Sequence, residues 1–98
     1  MALSSTGTAV ADGVYTTLYD ASRGGSEEGQ FSYWWTIKVT AGTATIKVQG
    51  TIYGTTARTM SSTDDPWEIV TIGGKAPITK IEAAGSGAAA TVAFWSNS

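Results

Sequence analysis

The chain has 98 residues, a net charge of −2, and neither cysteine nor histidine. That length suits one domain, and the missing residue types exclude disulfides, thiolate metal sites and the commonest general base. Its 6 basic residues stand singly, so there is no basic footprint for nucleic acid or an anionic membrane, and no apolar run approaches the ~20 residues of a membrane span.

Residues 1–13 read as an extended arm, small and polar, with a short strand at 9–11. Met1-Ala2-Leu3-Ser4-Ser5-Thr6-Gly7-Thr8 has no charged n-region and no long apolar h-region, so no cleaved leader is expected. Residues 14–98 read as one all-β domain. Thr is the commonest residue, Leu is nearly absent, and charged residues make up 14% against an average near 25%. Thr, Val, Ile, Trp and Tyr favour pleated, half-buried surfaces, and the frequent Gly, Ser and Asp supply turns.

A first strand is expected over 14–20, followed by a polar loop at 23–29. The run Phe31-Ser32-Tyr33-Trp34-Trp35-Thr36-Ile37-Lys38-Val39-Thr40 then alternates strictly. Its odd positions are apolar and its even positions polar, apart from Trp34. Such alternation marks a strand with one face in a core and one in solvent. Ala41-Gly42 reads as a two-residue turn into a partner strand over 43–52. That pairing sets Val39 against Ala44, Ile37 against Ile46, Trp35 against Val48, Tyr33 against Gly50 and Phe31 against Ile52. A slip of one residue would invert the second strand's faces.

Further strands are expected at 57–61 and 67–72, and a closing hairpin at 78–84 and 88–95 around Gly85-Ser86-Gly87. Six to eight short strands at close spacing predict an antiparallel β-sandwich or jelly-roll-like fold.

The acids do not assemble into chemistry. Glu27-Glu28 and Asp64-Asp65 sit in loops and read as solvated turn residues. Asp64, Asp65 and Glu68 offer oxygen ligands for Ca²⁺ but lack the spaced order of a calcium loop. Ser86 has small neighbours but no histidine to activate it. No enzyme, cofactor or metal is expected. What remains is aromatic surface: Trp34, Tyr53 and Trp95 fall on outward positions. The expected pairing puts Trp34 and Tyr53 on one face. Three fates are open for such rings: cover by the chain itself, contact with a partner, or stacking on sugar.

Several segments carry a resemblance. They are Gly42-Thr43-Ala44-Thr45-Ile46-Lys47-Val48-Gln49-Gly50-Thr51, Gly54-Thr55-Thr56, Pro77-Ile78-Thr79-Lys80-Ile81-Glu82-Ala83, and Gly85-Ser86-Gly87-Ala88-Ala89-Ala90-Thr91-Val92. Together they resemble small virion proteins of tailed bacteriophages, which are β-sandwich modules of capsid decoration, head-fibre, neck or tail type. An aromatic often follows the G-T-T turn in such proteins, and here Ala57 stands there.

The resemblance implies a non-enzymatic capsid decoration (cement) protein, located in the virion and docked on the major capsid protein or another virion protein. It implies a homo-oligomer, with a trimer favoured. Trp34, Tyr53, Trp95 and Trp67, with Leu3 in the arm, are the residues expected to carry contacts. A carbohydrate- or receptor-binding fibre module and a tail or neck connector are the alternatives.

Overall fold

The structure is a computed structural model that describes residues 3–4, 7–20, 34–50, 54–70 and 78–97. The described residues form nine strands and no helix: β1 (Leu3–Ser4), β2 (Thr8–Val10), β3 (Thr16–Asp20), β4 (Trp34–Ala41), β5 (Thr43–Gly50), β6 (Gly54–Ser61), β7 (Trp67–Val70), β8 (Ile78–Gly85) and β9 (Ala90–Asn97). They build two antiparallel sheets. The first runs β1-β9-β4-β7, with β2 also on β9, and the second runs β3-β8-β5-β6. β1 and β2 pair with opposite ends of β9, so both sheets are four strands wide. The expected all-β sandwich is what the chain forms. From β2 onward the chain changes sheet at every connection except β5–β6, which is a jelly-roll-like course.

Two expected hairpins do not form. β4 lies in the first sheet and β5 in the second, so the pairing of 31–40 with 43–52 is replaced by β4–β9, β4–β7, β5–β8 and β5–β6. Ala41-Gly42 is a corner between the layers. Gly42 takes φ +76°, and a Cβ there would come within 3.0 Å of the Ala89 carbonyl oxygen. The closing hairpin fails in the same way, because β8 belongs to the second sheet and β9 to the first. The inward residues are nevertheless those expected: Trp35, Ile37 and Val39 on β4, and Ala44, Ile46 and Val48 on β5. They meet across the core instead of along a ladder. Alternation tells which face a residue occupies and is silent on which strand lies beside it.

The core joins these side chains with Val10, Tyr19, Met60, Trp67, Ile78, Ile81, Val92 and Phe94. A register shift between Gln49 and Gly50 leaves Thr79 as the extra residue of β8, so Ile78 and Ile81 both point inward despite their odd spacing. The segment read as an arm is tied to its own domain: β1 and β2 lie along β9, and Val10 is in the core. β6 is an edge strand whose inward positions Thr56 and Arg58 are still exposed. The Arg58 guanidinium stacks on the Trp67 ring at 4.7 Å, and an inward charge of this kind discourages edge-to-edge pairing.

Tyr19, Trp35 and Phe94 form an aromatic cluster, with the Tyr19 and Trp35 centroids 4.9 Å apart. Burial, and secondarily the charge of Asp20, pushes the Tyr19 phenol up from 10.0 to about 12. The folded chain therefore holds this proton more tightly than the unfolded chain. The stability contributed is complete below pH 10 and is lost as pH rises towards about 12. Denaturant midpoints measured between neutral pH and pH 11.5 should fall more steeply above pH 10 for the native chain than for Tyr19→Phe.

Candidate functional site

The outer face of the first sheet carries the two outward indoles. On β4, Thr36 stands opposite Trp95 of β9 on one side and opposite Glu68 of β7 on the other. Two residues along β4, Trp34 stands between Asn97 and Val70 in the same way. Trp34 is 41% exposed, Trp95 43% and Val70 56%. These are the large apolar groups that the first sheet leaves in solvent among the described residues.

Trp34, Thr36, Glu68 and Trp95 line a shallow cleft of about 180 Å³. An outward threonine on a sheet is ordinarily wet, yet Thr36 is only 6% exposed, because the two indoles and Glu68 stand around it. The floor of the cleft is thus a dry threonine, its walls are aromatic, and its charge is the Glu68 carboxylate. The Glu68 side chain makes no hydrogen bond or ion pair with another described residue.

Lys38 shares this face but is committed elsewhere. Its Nζ donates to the Ser62 carbonyl at 3.0 Å and to the Asp64 carbonyl. A second cleft of about 230 Å³ opens at the sandwich edge, between Val48, Thr56 and Ile78 on one sheet and β7 on the other.

The expected contact residues separate. Trp34 and Trp95 come together as the walls of the cleft. Trp67 is a core residue, 8% exposed beneath Arg58, and is corrected from surface to interior. Its position at the start of β7 points it inward with Ile69, while Glu68 and Val70 point out. Tyr53 lies outside the described residues. The pairing that set it beside Trp34 does not exist, since β5 belongs to the other sheet. Leu3 begins β1 and pairs with Ser96, which brings the arm's backbone to the Trp95 end of β9.

The sequence offers Glu68 only as an oxygen ligand beside Asp64 and Asp65; its place beside Thr36 depends on β7 lying next to β4, which the local pattern does not carry. The acid pair at 64–65 is a turn feature in part: the Asp64 carboxylate accepts the Ser61 amide at 2.8 Å. Asp12 likewise accepts the Gly87 amide at 2.9 Å. Glu27 and Glu28 lie outside the described residues. Among the described residues, no three acids, histidines or cysteines gather as a metal site.

The outer face of the second sheet is different in kind. Thr45 and Thr59 share a hydrogen bond at 2.9 Å, Gln49 donates to Thr55 at 3.3 Å, and Lys47 sits over the Tyr15 ring at 4.2 Å. These polar groups satisfy one another. No family model, curated protein or solved structure matches the chain.

Proposed function

We propose that this chain is a non-enzymatic structural protein of a phage virion, a decoration protein that docks on the capsid surface and stabilises it. The observation that carries the reading is the pair of half-exposed indoles, Trp34 and Trp95, set with Val70 on one end of one sheet face. Aromatic side chains on a rigid scaffold are the groups that dominate docking energetics, and a charge-poor surface around them is easily desolvated. The sequence resemblance supplies the capsid as the partner. Docking would bury ~1,000 Å² or more of total surface to hold a subunit in place. The pairing of β1 and β2 along β9 keeps the N-terminal segment close to this face, where it adds to the contact.

The test uses phage particles that lack the protein. Purified chain is added, particles are sedimented, and bound chain and particle melting are measured. Trp34→Ala and Trp95→Ala should each weaken docking at least about thirtyfold, the effect of losing a ~2 kcal/mol hot spot. The melting temperature of the isolated chain should move by less than about 5 °C, because both rings are surface groups. Native docking by both variants sinks the proposal.

A second reading is favoured by one feature, the cleft between the two rings. In a fibre module the walls would stack on a sugar ring and Glu68 would accept its hydroxyls. Indole fluorescence that responds to added sugars, with no binding to particles, selects that reading.

A further inference from the structure

We infer that the cleft between Trp34 and Trp95 seats a cationic side chain, an arginine or lysine presented by the protein on which this face docks. The inference rests on the docking reading above and names the chemistry of its central contact.

The cleft and such a side chain are complementary in charge. Indole faces attract cations more strongly than any other neutral side chain does. A carboxylate at the edge of the same cleft adds charge-assisted hydrogen bonds, to which a guanidinium is well matched. The chain uses the first half of this device twice within itself, with Lys47 over Tyr15 and Arg58 over Trp67. Its four described cations are all engaged away from the cleft. Lys38 is held by the Ser62 and Asp64 carbonyls, Lys47 and Arg58 by their rings, and Lys80 by Glu82 at 3.7 Å. Glu68, at the edge of the cleft across Thr36 from Trp95, has no such partner among the described residues.

The fit is also one of size and polarity. A space of about 180 Å³ equals roughly six liquid waters, enough for a guanidinium and its stem. A sugar needs several hydrogen-bonding groups around its rim, and the side chains that line this cleft carry one carboxylate, two indole N–H groups and a threonine that is 6% exposed.

The first test follows the indole N–H signals of Trp34 and Trp95 by ¹⁵N-resolved NMR, assigned through Trp34→Phe and Trp95→Phe. N-acetyl-arginine methylamide is titrated in, then its uncharged citrulline counterpart, then cellobiose. Both signals should shift saturably with the arginine probe, about tenfold more weakly in Glu68→Gln, and stay in place with the other two. Equal shifts with citrulline, no shift with arginine, or no dependence on Glu68 overturns the inference. A response to cellobiose alone assigns the cleft to sugar.

The second test repeats particle sedimentation with Glu68→Gln. Docking weakened by this change and by added salt supports the cation. Native docking by Glu68→Gln, when Trp34→Ala fails to dock, removes the cation and keeps the docking face. Native docking by both variants removes the docking reading itself.

Discussion

Trp35→Ala is expected to cost about 3–5 kcal/mol and to lower the melting temperature by on the order of 15–30 °C. A domain of this size has about 5–15 kcal/mol in total, so the variant sits near the limit of folding. The ring is fully buried and packs between Tyr19 and Phe94, with centroids at 4.9 and 6.1 Å. Tyr19 belongs to β3 in the second sheet and Phe94 to β9 in the first, so removing Trp35 unpins the two layers together. Its Nε1 is buried without a hydrogen-bond partner among the described residues, and an unsatisfied donor costs about 1–3 kcal/mol. Trp35→Phe keeps much of the packing and removes that donor, so it should cost less than half as much as the alanine change. Chemical denaturation of the two variants measures both numbers. Equal losses would mean that the indole's second ring, and not the aromatic stack, carries the contact.

The faces of the strands were open to reading and their neighbours were not. From Trp34 to Val39 the alternation assigns Trp35, Ile37 and Val39 to the core, and all three are fully buried. The same pattern left Thr36 as an ordinary outward threonine, because its burial depends on Trp95 and Glu68, which arrive from β9 and β7. Ala41-Gly42 has the residues of a tight turn, and a tight turn and a layer-crossing corner ask the same thing of glycine. Both orders bring Ile37 and Ile46 into the core, so the agreement of inward residues could not decide between a ladder pair and a pair across the sandwich. Misplacing that one connection moved Trp34's companion from Trp95 to Tyr53. The candidate site was therefore half legible: each indole showed itself as outward, but the cleft between them exists only through strand order.

The same limit explains Trp67. Its strand, read over 67–72, carries apolar residues on both faces, so the pattern does not show which face is inner. Trp67 and Ile69 face in, Val70 faces out, and the deciding factor is that β7 closes the first sheet opposite the edge strand β6. Arg58, at an inward position of β6, completes the cover from the other layer.

Gly85→Ala is expected to destabilise the chain by about 3 kcal/mol or more while leaving the aromatic face unchanged in whatever folds. A Cβ on Gly85 would land on the Ala88 carbonyl oxygen and come within 3.2 Å of the Ala11 carbonyl oxygen. Both obstacles are backbone, so no side-chain rotation relieves them. The corner they belong to is tied on several sides. Gly85 donates to Ala11 at 2.8 Å and accepts from Gly13 at 2.9 Å, Ser86 donates to Thr43 at 2.9 Å, and Gly87 donates to the Asp12 carboxylate at 2.9 Å. Moving the corner to admit a methyl group disturbs these bonds together. Gly87→Ala is the control. Gly87 has φ +89° but nothing within 4 Å of a new Cβ, so it should cost only about 1–2 kcal/mol for the left-handed backbone. The corner stands at one end of β9, and Trp95 lies towards the other end of a strand about 24 Å long. Gly85→Ala should therefore lower stability and, measured below its melting point, dock with native affinity, whereas Trp34→Ala should do the reverse. Docking that is lost in Gly85→Ala at temperatures where the chain is folded would tie the corner itself to the partner, and the aromatic face would no longer account for binding alone.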